Sequence, residues 1–201
     1  MAKEKEIKVL EEAERTEFTE EEVAKGMLET STGKRKVSVP GLGDVTLKHP
    51  TREDELEADV ERSKAFTRFL LDGLKTEAEM KKIAEERGLW TEKDEEALGK
   101  LQTDMVDIRV EISQVKSGTK KKKLQKELLE TRVKWIEELA RKNAIFAHTV
   151  ENKATNTWWQ YLTFRCAFKA DDEPVWDTWD DFLKESNSDP STVLVGEFLT
   201  F

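Results

Sequence analysis

The chain has 201 residues, of which 38% are charged and 37% hydrophobic, with a net charge of −9. Against the roughly 25% charge of an ordinary domain, this excludes a thick globular core and favours thin layers of half-solvated amphipathic helix. The acidic balance argues against general nucleic-acid binding, the single Cys166 excludes an intrachain disulfide and fits a reducing compartment, and no apolar run approaches the ~18 residues of a membrane span.

Residues 1–35 read as a charged, largely solvated arm. Thr19-Glu20-Glu21-Glu22 is a capping-type start for a short helix with a sparse face of Val23, Met27 and Leu28, and Gly33 breaks it. Residues 36–48 alternate on both sides of Pro40-Gly41-Leu42-Gly43, a β-hairpin signal. An isolated hairpin is marginal in water, so it is expected to pack on a helix or add to a sheet edge of a partner. Thr51-Arg52-Glu53-Asp54 then starts a helix whose apolar face reads as Leu56, Val60, Phe66, Phe69, Leu70 and Leu74, ending near Gly73. A shorter helix starts at Thr76 and ends at Arg87-Gly88.

The strongest pattern follows Thr91. Leu98, Leu101, Met105, Ile108, Ile112 and Val115 step by three and four, a heptad seam that requires a helical partner. Ser117-Gly118-Thr119 suits an antiparallel return. Leu124, Leu128, Thr131, Trp135, Leu139 and Phe146 continue at helical spacing, with no Pro or Gly between 119 and 173. The return helix is therefore expected to run from about 120 to 165, about 45 residues or near 65 Å. Its far end, Val150 to Cys166, is expected to meet the helices of residues 51–87. Asp171-Asp172-Glu173-Pro174 turns the chain, Thr178 caps a short helix, and Asp189-Pro190 reads as N-cap and first residue of a last one. That helix is apolar to the end at Phe201, which points to docking on a partner or to a fragment of a longer chain.

The fold class expected is mainly α: a long antiparallel helical hairpin packed on shorter helices, with one small β-hairpin near the N-terminus. The chain divides into an arm (1–35), the β-hairpin with two short helices (36–90), the long hairpin (91–167) and aromatic, acidic C-terminal helices (168–201).

His49 and His148 are far apart in sequence, no Cys/His cluster has zinc spacing, and Gly41-Leu42-Gly43 lacks the rest of a phosphate-binding loop. Asp171, Asp172 and Glu173 match no calcium-loop spacing. No catalytic residue, cofactor or metal ligand is expected. Two features remain as partner-binding candidates. Lys120, Lys121, Lys122 and Lys123 sit at the hairpin tip, where they oppose the helix macrodipole and suit an acidic partner, or simply a solvated helix start. Trp158, Trp159, Trp176 and Trp179 belong to a run of seven aromatics within 22 residues, either core anchors with one Trp exposed or a binding hot spot. Charge is also uneven: residues 116–142 hold ten Lys/Arg against four Glu, and residues 171–189 hold eight Asp/Glu against one Lys. These stretches could pair within the chain or between copies.

Four segments share a layout. They are His49-Pro50-Thr51-Arg52-Glu53-Asp54-Glu55, the helix start Gly88-Leu89-Trp90-Thr91, the charged helical hairpin, and Phe164-Arg165-Cys166-Ala167-Phe168 with its acidic turn and aromatic helix. Over about residues 36–200 this layout resembles tail-assembly chaperones and virion-associated structural proteins of tailed bacteriophages. The resemblance implies a non-enzymatic assembly factor that binds a helical client such as a tape-measure protein. It implies the cytoplasm of the host cell, or the virion, as its location, and the opening MAKEKEIKVLEEAER has no secretory apolar stretch. Two other readings stand beside it: an oligomeric virion or cellular scaffold, and an acidic regulator of a basic partner. A protein partner is expected, a homo-oligomer is compatible, and neither membrane nor nucleic acid is expected as a partner.

Overall fold

The computed structural model describes residues 20–186 and 188–201. The expectations placed on residues 1–19 lie outside them. Eight helices and three strands occur among the described residues: α1 (Glu20–Thr32), β1 (Lys34–Val39), β2 (Gly43–Lys48), α2 (Arg52–Leu71), α3 (Glu77–Glu86), α4 (Glu92–Gln114), α5 (Gly118–Phe146), α6 (Val150–Cys166), β3 (Ala167–Lys169), α7 (Trp179–Glu185) and α8 (Asp189–Leu199). The fold is mainly α with a small antiparallel sheet. The chain forms two compact units. One holds Lys75–Thr149; the other holds the described residues up to Leu74 together with Val150–Phe201.

In the first unit, two helices start by one device. Thr76 and Thr91 each form a capping box with Glu79 and Asp94 at N3, and the same box opens α2 with Thr51 and Asp54 in the other unit. Each box satisfies helix-end N–H groups that would otherwise lack partners. The seam expected from sequence closes α4 against α5: Leu98, Met105, Leu124 and Leu128 are buried. Leu101, Ile108, Ile112, Trp135 and Leu139 are half-buried, as a pair of helices leaves part of each seam wet. The best-packed end gathers Ala84 of α3, Trp90, Leu98 and Phe146 with Met80, Trp135, Leu139 and Ile145 around them. Arg141 bonds Asp94 at 2.5 Å and Lys142 bonds Glu95 at 2.7 Å across the same end.

The return helix does not run on to residue 165. It stops at Phe146 and α6 starts at Val150. The buried Thr149 donates both its N–H (3.1 Å) and its hydroxyl (2.9 Å) to the Phe146 carbonyl. The two helices are thus separated without Pro or Gly.

In the second unit, the sheet order is β1-β2-β3, with Val37 opposite Val45 and Thr46 opposite Phe168. The β-hairpin thus gains a strand from this chain rather than from a partner. Residues read as a helix end and a turn supply it. Val39, Val45, Leu47 and Ala167 are buried beneath it with Leu162, Cys166, Phe182, Leu194 and Phe198. Helix α2 packs on α6, and here the sequence reading of its apolar face is corrected. The buried positions are Asp54, Ala58 and Ala65, while Leu56, Val60, Leu70 and Leu71 face solvent. Two alanines on α2 and Ala154 on α6 let the backbones approach closely, which large side chains prevent. Helix α3 belongs to the first unit. Ser188, not Asp189, caps α8 and accepts from the Ser191 N–H, so Asp189 is one residue inside.

Candidate functional site

Three surfaces compete for function. The first is the aromatic cluster, all in the second unit. Phe182 is fully buried at its centre. Trp179 stacks on it (centroids 5.1 Å, 12° between planes), Trp176 meets it edge-on at 4.8 Å, and Phe164 lies 6.3 Å away. Tyr161 touches Trp179 at 5.1 Å and Phe164 at 5.6 Å. Trp158 and Trp159 meet edge to face at 4.6 Å, and Trp159 continues to Phe198. Trp176 is buried and its Nε1–H donates to Glu185 Oε2 at 3.0 Å. Trp158, Trp159 and Trp179 are half-buried. The cluster is therefore chiefly core. None of these tryptophans is fully exposed among the described residues, and Trp176 is enclosed. The buried Trp158 Nε1–H has no hydrogen-bond acceptor among the described residues.

The second is a cleft of about 490 Å³ where α2 begins, lined by Lys48, His49, Asp54, Arg165, Phe168 and Trp176 among others. Asp54 Oδ2 accepts from the Thr51 N–H (2.9 Å) and hydroxyl (2.6 Å), and Oδ1 accepts from Arg165 Nε at 2.8 Å. Burial pushes the Asp54 pKa up, but these donors outweigh it and the net shift is downward. Arg165 also reaches Glu57, which accepts from the Tyr161 hydroxyl at 3.0 Å. Burial, then Glu57, raise the Tyr161 pKa to about 12. Cys166, at the cleft floor, is buried, and burial with the Asp54 charge raises its pKa to about 12. At neutral pH it is a thiol, not the thiolate that acts as a nucleophile. Lys48 lies over the Phe168 ring at 3.6 Å and pairs with Asp172 at 3.0 Å. Asp54 and Arg165 are engaged with each other, which ties the start of α2 to the end of α6 at this cleft. No group of three or more His, Cys, Asp or Glu among the described residues is placed to hold a metal ion. His49 instead stacks on Phe201 at 4.1 Å, and Arg35 reaches Glu197 and Thr200 in the last turn of α8.

The third is the set of outward helix faces. Lys120, Lys121, Lys122 and Lys123 are exposed at the hairpin tip, as expected; Lys120 pairs with Glu111 at 2.8 Å. Sequence reasoning missed the face of α2 that looks away from α6. Leu56, Val60, Ser63, Thr67 and Leu70 step by four and three, and all are exposed; Leu71 beside them is 82% exposed. Ser63, Lys64, Thr67, Arg68, Leu71 and Asp72 form a shallow groove there. Leu56, Val60 and Leu70 carry the signal in the sequence, as part of an apolar face expected to meet the core; the structure turns them outward. On α1, Met27 and Leu28 are likewise 68% and 62% exposed.

No protein-family model matches the chain, and no curated protein or solved structure matches it. Among the described residues, no helix is long and apolar enough to cross a membrane.

Proposed function

We propose that this protein is a non-enzymatic assembly factor that holds an amphipathic helix of a client against the outward face of α2. The observation that carries this reading is the stripe Leu56, Val60, Ser63, Thr67 and Leu70. It has heptad spacing and is exposed over its length, and such a stripe recognises a helix with apolar residues at the same repeat. Arg52, Asp59, Arg62, Lys64 and Arg68 bring both signs of charge to α2. A client helix with mixed charge beside its apolar stripe fits them.

The layout resemblance of residues 36–200 makes the client a helical phage tail component such as a tape-measure protein, and the setting the host cytoplasm during tail assembly. Co-expression with the long coiled-coil product of a neighbouring gene tests both parts. The wild type should copurify with it and keep it soluble, and Leu56→Glu with Val60→Glu should abolish copurification without changing the circular dichroism of the free protein. No complex with the wild type, or an undiminished complex with the double variant, refutes the reading. A virion scaffold, the rival, would be found by mass spectrometry in purified particles, where an assembly chaperone is absent.

A further inference from the structure

The helical hairpin carries a second pair of stripes, on the sides of α4 and α5 turned away from their shared seam. On α4 the stripe is Glu92, Glu96, Gly99, Thr103, Val106, Val110 and Ser113; on α5 it is Lys122, Lys126, Leu129, Val133, Ile136, Ala140 and Asn143. Every residue of the α4 stripe is exposed, with Val106 at 53% and Val110 at 49%. On α5 only Leu129 and Val133 are half-buried; the rest are exposed. The outermost face of a surface helix is ordinarily its most charged. Here charge is confined to the first two positions of each stripe, acidic on α4 and basic on α5.

The two stripes match in spacing. Both step four, three, four, three, four, three, so each α5 residue is numbered thirty above its α4 counterpart, as Lys122 is above Glu92. Laid side by side in parallel, Glu92 meets Lys122 and Glu96 meets Lys126. Gly99 then receives Leu129, Thr103 meets Val133, Val106 meets Ile136, Val110 meets Ala140, and Ser113 meets Asn143. Charge pairs with opposite charge, the large Leu129 lies opposite a glycine, and the polar ends coincide. Among the described residues Glu92, Glu96 and Lys122 have no ion-pair partner, and Lys126 has only Glu130 on its own helix at 3.8 Å. Within one chain α4 and α5 run antiparallel, so the match cannot form inside a hairpin.

The geometry points to a second copy of this chain as the occupant: the α4 stripe of one copy binds the α5 stripe of the next, in parallel, in the thirty-residue register. A parallel contact of this kind sets adjacent hairpins head to tail. The basic tips (Lys116, Lys120–Lys123 and Lys126) then lie at opposite ends of the contact, roughly 30 Å apart along α4 and beyond the ~8–10 Å screening length. The alternative, hairpins side by side with tips together, brings those like charges into contact. Because the two stripes differ, the contact is heterologous: each copy keeps one α4 and one α5 stripe free, and association continues into a ring or a chain of copies. The α2 stripe takes no part, so this inference stands or falls independently of client binding.

The test uses charge reversal on the full chain in sedimentation velocity, with circular dichroism as the control for folding. The wild type should sediment faster as concentration rises. E92K/E96K alone, and K122E/K126E alone, should each weaken association at least about tenfold, as high salt should. A mixture of the two variants should regain it, because reversed stripes meet opposite charge again. Oxidation of a mixture of Val106→Cys and Ile136→Cys proteins should link the two, while Val106→Cys alone should not link to itself. A wild type that sediments as a single small species at every concentration overturns the inference. So does a mixture that stays as weak as its components, or efficient self-linking of Val106→Cys.

Discussion

The two units solve the shortage of apolar residues differently. The sheet unit concentrates its rings: Phe182 is enclosed by Trp176, Trp179 and Phe164 over a sheet floor of Val39, Val45 and Leu47. The hairpin unit spreads Leu, Ile and Met along a two-helix seam and leaves most of it partly wet. Stability in the first is local and depends on few side chains. In the second it is distributed, and it depends more on the backbone remaining helical than on any one contact.

The largest effect expected from that contrast is at Phe182. Phe182→Ala removes the centre of the ring cluster and should cost ~3–5 kcal/mol, read as a lower denaturation midpoint and loss of near-ultraviolet dichroism. Along the seam, Ile108→Ala should cost less than Phe182→Ala because Ile108 is half-buried, whereas Ile108→Pro should cost ~3 kcal/mol or more by breaking α4. Equal losses for the two Ile108 variants would remove the distinction between packed and backbone-dependent units.

The capping boxes give a smaller, pH-dependent effect. Hydrogen bonds from Thr91, then from Arg141, lower the Asp94 pKa to about 2, and bonds from Thr76 lower that of Glu79. A carboxylate whose folded pKa is depressed contributes stability above its unfolded pKa, near 4. That contribution is lost as pH falls through the folded value, so for Asp94 it fades between about pH 4 and pH 2. Thr91→Val should move the Asp94 carboxyl titration, followed by carbon NMR, upward and raise the pH at which the hairpin unit loses helicity. The smallest effect is expected at the tip. Replacing Lys120, Lys121, Lys122 and Lys123 by Gln should leave the melting temperature almost unchanged, within about 0.5 kcal/mol, while weakening association through the loss of Lys122. A large drop in melting temperature would mean the tip is part of the packed structure.

What the sequence made legible was whatever is decided within one or two helix turns. The Thr-led capping boxes at 51, 76 and 91, the Pro-Gly turn at 40–43 and the seam of α4 are local, and each is found in place. Long-range choices were not legible. Leu56 and Val60 look like core residues until Ala58 and Ala65 prove to be the close-packing face. Ala167-Phe168-Lys169 carries no strand signal of its own, and only pairing with Val45–Leu47 makes it a strand. The helix break at 147–149 contains neither Pro nor Gly, so no composition rule marks it. At the candidate sites, the tip lysines were placed correctly. Trp176 is a core anchor, one of the two readings the sequence left open, because ring clusters in sequence do not reveal which ring lies innermost.

The third strand has one further consequence, for the order in which the chain is made. More than a hundred residues separate Lys48 from Ala167. At roughly 5–20 residues per second on the ribosome, the first two strands wait for several seconds with the β2 edge unpaired. The helical hairpin, whose contacts are local, lies wholly within that interval of sequence and folds far faster than this wait. A chain interrupted before Ala167 would carry a finished hairpin and an open sheet edge, and such edges seek other strands. Translation of residues 49–167 is thus a vulnerable interval in the life of the molecule.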